Sequence, residues 1–328
     1  MVALFASFLY SIVDSIFLGR AVGSIALSGL GFASPIQMFL VAFAQLFGAG
    51  AASVISRALG RGDTKTAGST FTVSALSLAT IVCSLAVLMI LLLDPLLDVL
   101  GAVGDSKIQA RSYLMVLLPF NPFFCASTFF TALLRSEGRA SRALTLLLVG
   151  NFLNIAFDAL FILGLKQGIA GAAWATVIGH AGATALGLFF FLSNRSQIQG
   201  KQPDLSLLKE IIPLGLPSLI RQLGTGSVIA LVNNLLMTYG GSDAVAAYTI
   251  INQITMLCYL PLSALVMGFA PIAGFSFGSR NTTRLKALVR LAVASEVVFG
   301  LLIMLSLQIF ARLLLSLFTA DQMVATYA

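Results

Sequence analysis

The chain has 328 residues, 59% of them hydrophobic and only 9% charged, with a mean hydropathy of +1.01. That balance leaves too little polar surface to cover a water-soluble fold, and long apolar runs recur throughout, so the class is an all-α polytopic membrane protein. The formal charge of +7 does not indicate a nucleic-acid partner, because the basic residues sit in particular loops and form no single patch.

Nine hydrophobic segments are predicted in chain order, at about 1–19, 25–57, 67–93, 109–133, 143–165, 168–192, 207–238, 243–275 and 287–318. The first has no basic n-region and no cleavage site, and reads as the tail of a spanning helix rather than a signal peptide. Gly, Pro and charged residues mark the breaks, as in RALGRGDTKTAG, RSEGRASR and YGGSD. The loops after segments two, four and six carry Arg57, Arg61, Lys65, Arg135, Arg139, Arg142, Arg195, Lys201 and Lys209. The loop after segment eight adds Arg280, Arg284, Lys286 and Arg290, whereas the opposite loops hold only Arg20, Lys107, Arg111 and Lys166. The positive-inside rule then places the even-numbered loops and the N-terminus in the cytoplasm.

Cys83, Cys125 and Cys258 each lie within an apolar run and read as core-packing residues; no Cys or His spacing suits a metal or a disulfide framework. His180 is the single histidine, and its place one turn after Thr176 reads as a packed, hydrogen-bonded residue. No phosphate loop, nucleophile elbow or metalloprotease helix is present, so neither an enzyme nor a cofactor is expected.

Segment five holds the most expensive residue. In GNFLNIAFDALFI, Asp158 lies near the far end of a spanning stretch, with Asn154 and Asn151 behind it at helical spacing. A carboxylate in that setting, backed by a polar stripe, is a candidate proton or cation site. Further polar residues fall later. Arg221 is too deep in segment seven to reach the interface easily, and Asn233, Asn234, Asn252 and Gln253 are candidate substrate-path residues. Glu296 reaches the cytoplasmic interface more easily.

Val13-Asp14-Ser15-Ile16 aligns with Val232-Asn233-Asn234-Leu235, and Gly50 and Gly60 align with Gly268 and Gly278, an offset of about 218 residues. The offset spans six segments, so the two copies run the same way through the membrane. A complete pair would have twelve segments. The expectation is a fragment, lacking the start of the first helix and the last three.

YSIVDSIFLGR, RALGRGD, GNFLNIAFDALFI with GIAGAAWATV after it, and GFAPIAGFSFGSRN together resemble the multidrug and toxic compound extrusion (MATE) family, bacterial multidrug branch. The resemblance implies a two-lobe transporter of parallel six-helix repeats, with nine of the twelve helices present. The N-lobe would be 1–195, a cytoplasmic linker 196–206 and a partial C-lobe 207–328. It implies a multi-pass protein of the bacterial inner membrane, a monomer when full length, exporting organic cations in exchange for H⁺ or Na⁺. The cation site it implies is Asp14, Asn154, Asp158, Thr176 and Tyr113, with Na⁺ at the first four. Counting along each segment places Asp14, Tyr113, Asp158 and Thr176 roughly 6–12 Å from its outer end, in one slab. The C-lobe acid of some relatives is not evident, Asn233 and Asn234 standing in that region. The alternatives are a flippase for lipid-linked precursors, which requires a cationic central cavity, and a non-functional remnant.

Overall fold

The computed structural model describes the backbone of residues 24–318 except 103, 194, 195, 197 and 199. Side chains are described outside 24–28, 106, most of 229–260 and 310–318. The described residues form helices α1 (Ser24–Gly60), α2 (Thr64–Leu91), α3 (Leu93–Val99), α4 (Gly104–Ser136) and α5 (Ala140–Asp158). A π-helical turn, Ala159–Gly164, extends α5; α6 (Gly168–Leu192), α7 (Leu208–Gly278) and α8 (Thr282–Phe318) follow. Among the described residues seven stretches are long and apolar enough to cross a membrane. The first predicted segment lies outside the described residues.

The breaks are built as their sequences demand. After α1, Asp63 N–H donates to Ala58 O and Gly62 N–H to Leu59 O, with Gly62 at φ +76. After α4 the same closure recurs with Arg139 N–H on Leu134 O and Gly138 at φ +80. Both are the left-handed helix stop that glycine adopts without strain. Asp63 then caps α2, its Oδ1 accepting from Thr66 N–H at 2.9 Å and its Oδ2 from Thr66 Oγ at 2.6 Å. These bonds, the hydroxyl first, hold the Asp63 carboxyl below its ordinary value of 3.8. Folding therefore lowers its proton affinity, so its stabilising contribution is present above 3.8 and is lost as pH falls through the folded value. Asp63→Ala should lower stability by about 1 kcal/mol; thermal unfolding in micelles at neutral pH measures it.

α1 is the hub, packing on α2, α4 and α7, while α4 packs on α6 and α6 on α5. Phe71, Phe129, Phe130 and Phe191 form one ring cluster joining α2, α4 and α6, with Phe71 and Phe191 centroids 5.0 Å apart. Cys125 is buried in this bundle, but Cys83 is exposed on α2, which corrects its reading as a core residue. A lipid-facing surface is as apolar as the core, so sequence alone does not separate the two.

Segments seven and eight both fall within α7, a run of 71 helical residues. It nevertheless reverses direction. Ile211 O packs against Gly50 and Phe275 O against Gly60, both on α1. A straight helix would hold those two α7 residues about 96 Å apart, whereas the two glycines are about 15 Å apart along α1.

The same contacts gather the basic loops on one side. Arg57 pairs with Glu210 at 2.9 Å, Lys201 N–H donates to Thr72 Oγ at 3.2 Å, and Ser196 Oγ donates to Glu137 at 2.9 Å. On the opposite side Lys107 and Arg111 are paired with Asp98 and Asp94 of α3. The ends that meet on the basic side do so backbone to backbone. A Cβ on Gly215 would overlap Leu46 O and one on Gly50 would overlap Ile211 O; Gly278 and Gly60 stand likewise to Arg57 O and Phe275 O. Small residues permit such approach in membrane helices.

Candidate functional site

α5 and α6 cross where neither carries bulk. A Cβ on Gly179 would lie 2.7 Å from Gly150 O and 3.0 Å from the Asn154 Cβ. Gly171, Ala175, Gly179, Ala183 and Gly187 repeat every four residues, which puts a small-residue stripe on one face of α6. The close approach brings Asn154 to Thr176. Asn154 Nδ2 donates to Thr176 Oγ at 3.3 Å, and Thr176 Oγ donates to Ala172 O at 3.0 Å. Thr176 therefore holds its own backbone and the asparagine together.

With the amide nitrogen committed to Thr176, Asn154 Oδ1 faces the interior, buried and without a hydrogen bond among the described residues. One turn on, Asp158 is fully buried, at 0% exposure. Asn154 and Thr176 are buried too. The cluster is thus rich in acceptor oxygens and sheltered from water, the donor chemistry that holds a proton or a hard cation such as Na⁺. The helix changes pitch where the cluster ends. The π-helical turn starts at Ala159, and Leu165 N–H donates to Leu160 O at 2.8 Å, five residues back. Such turns inside α-helices are frequent at functional sites.

Of the other candidate residues, Tyr113 is buried on α4 and Asp14 lies outside the described residues. Asn233, Asn234, Asn252 and Gln253 lie on α7 where side chains are not described. Arg221 lines a cavity of about 270 Å³ between α1, α4 and α7, with Gln45, Ser53, Ser218 and Arg135.

A second cavity, of about 280 Å³, lies one helical turn from the Asn154–Thr176 bond toward the basic side. Asn151, His180, Ser127, Thr131 and Arg135 line it. Ser127 Oγ is 3.1 Å from His180 Nδ1, and the His180 ring stands 4.0 Å from that of Phe124. Arg135 also borders a third cavity, of about 450 Å³, with Glu137 and Arg284. In the sequence Arg135 counted only as a loop charge. The signal that distinguishes it is the run Thr128, Thr131, Arg135, which places hydroxyls and guanidinium on one face of α4.

The MatE family model matches residues 1–160 and 217–328. The multidrug export protein MepA of Staphylococcus aureus (strain MRSA252) is 27% identical over 334 residues, covering 100% of this chain and 73% of MepA. Among solved structures, the outward-facing conformation of a multidrug resistance MATE family transporter of the MOP superfamily superposes with TM-score 0.90 at 27% identity. It covers 99% of this chain and 73% of that one. A MOP superfamily transporter from Pyrococcus furiosus Vc1 (DSM3638), for which a reverse polarity of the binding pocket is described, gives 0.87 at 27% identity. There the coverage is 100% of this chain and 73% of that one.

Proposed function

The chain belongs to the MatE family and has the all-helical fold of its membrane transporters, and from that premise we propose that it is a secondary antiporter. In this reading it exports organic cations in exchange for H⁺ or Na⁺ taken up at Asp158, Asn154 and Thr176, with Asp14 and Tyr113 completing the site. The observation that carries the reading is the fully buried Asp158 one turn from an asparagine that α6 holds in place. An ionised carboxylate there is costly, so occupation by a proton or Na⁺ changes the free energy of the packed helices. When that change differs between the two access states, the ion gradient drives their exchange. The basic side faces the cytoplasm of a bacterial inner membrane, following the positive-inside rule.

Ethidium uptake into inverted membrane vesicles under an imposed pH or Na⁺ gradient tests this. Dye should move against its own gradient only while one ion gradient stands, and continued movement with both collapsed would sink the antiport reading. Thr176→Val removes the acceptor that fixes Asn154 and should raise the ion concentration for half-maximal transport about tenfold, the scale of one lost oriented partner. A titration of uptake against that ion measures it.

A second reading, a flippase for lipid-linked precursors, draws support from a different observation: among the described residues, two arginines and no acid line the cavity between α1, α4 and α7.

A further inference from the structure

We propose that this cavity is a binding site for an oxyanion, a carboxylate or phosphate carried by an otherwise apolar molecule, held between Arg135 and Arg221. The proposal rests on the transporter reading but not on ion coupling.

Arg135 and Arg221 line the same space of about 270 Å³, together with the side chains of Gln45, Ser53 and Ser218 and the apolar Met267. No Asp or Glu among the described residues lines it. Among the described residues the ion pairs are Arg57–Glu210, Lys107–Asp98, Arg111–Asp94 and Arg139–Glu137, and neither Arg135 nor Arg221 belongs to one. The acid closest to Arg135 in sequence, Glu137, is engaged by Ser196 and by Arg139 at 3.5 Å. Arg221 stands about 20 Å along α7 from Leu208, too far to reach the basic end.

Arg135 is half-buried and Arg221 exposed at this open-sided space, and two guanidinium groups that border it with no acid between them repel each other. A carboxylate or phosphate between them relieves that repulsion and suits the planar donor fork of arginine. Gln45 and the three serines, Ser53, Ser56 and Ser218, supply neutral hydrogen bonds to the same group, while Met267 and Val266 accept the apolar body. The single carboxylate Asp158 lies on the far side of the Asn154–Thr176 bond. A molecule with both an ammonium and an oxyanion therefore meets complementary charge in two separate places.

The test is equilibrium binding by fluorescence polarisation to the purified full chain in phosphatidylcholine nanodiscs, with no ion gradient. The probes are a rhodamine bearing a free benzoate and the methyl ester of the same dye. Arg221→Gln and Arg135→Gln should each weaken the free acid about tenfold or more, the scale of one charge-assisted pair, and leave the ester unchanged. Unchanged ester binding also shows that the variants fold. Arg221→Lys, which keeps the charge without the fork, should lose less than Arg221→Gln. Equal losses for both dyes, no loss for either, or no free-acid binding to the parent protein would each overturn the proposal.

Phosphatidylglycerol added to the nanodiscs separates the sources. Competition with the free acid that vanishes in Arg221→Gln identifies a lipid phosphate as the occupant, and absence of competition identifies a solute. Competition that persists in Arg221→Gln overturns the site. If Asp158→Asn stops transport while the arginine variants bind both dyes normally, this inference fails and the antiport reading stands.

Discussion

Asp158→Asn should reduce ion-driven export to the level of vesicles lacking the protein while the chain still folds and inserts. The side chains are nearly isosteric, so the tight α5–α6 crossing at Gly150 and Gly179 is not disturbed. What disappears is the charge that an ion can neutralise. A ligand shifts a two-state equilibrium only by its differential affinity, and moving a population from almost all one state to almost all the other takes about 5.5 kcal/mol. An amide provides no titratable proton and at most one neutral oxygen toward Na⁺, so the gradient has nothing left to act on. Transport in inverted vesicles, with dye binding as a control, reads the result. Ion-driven export at the parental rate would remove Asp158 from the coupling mechanism.

Gly215→Val should have the second largest effect, through the chain's shape rather than its chemistry. The Gly215 Cα faces Leu46 O, and even a methyl group would overlap that carbonyl. The atom in the way belongs to backbone, which cannot rotate aside as a side chain can. Overpacking of this kind costs about 1–3 kcal/mol, and the cost falls only on the arrangement in which α1 and α7 meet at the basic side. The expected outcome is a shift away from that arrangement and a loss of cyclic transport. Spin labels at Arg61→Cys and Ser206→Cys, in a background freed of native cysteines, should report a longer α1–α7 distance. An unchanged distance with undiminished transport would show that the contact plays no part in the cycle.

Much of the architecture was legible because membranes impose strong rules on sequence. The segment read at 168–192 coincides with α6, since Gly168 at φ +61 opens it and Ser193 in extended backbone closes it. The loop charges grouped on one side in the sequence are gathered there in the fold by Arg57–Glu210 and Lys201–Thr72. Other features could not be read. Gly50 and Gly215 look like any small residues until the facing carbonyl is known, because close approach is a property of two helices. Arg135 ends a helix in a basic loop; the run Thr128, Thr131, Arg135 marks a polar face, but only the packed helices make it border three cavities. The Asn154–Thr176 bond lies between the two extremes. The resemblance put both residues at one site, but the stripe of small residues that lets them touch lies on α6 in plain view.

The π-helical turn after Asp158 has a consequence for how this chain tolerates change in length. Its wider loop accommodates more residues per turn than an α-helix does. Deleting one residue between Ala159 and Gly164 would let the ladder tighten into an ordinary α-helix, leaving the turn bearing Asn154 and Asp158 in its present register. The displacement would be passed forward into the connection at Lys166 and Gly168, whose positive φ values of 52° and 61° mark a tight bend. A deletion at this point is thus absorbed on the side away from the basic loops, and the site behind it keeps its alignment with α6.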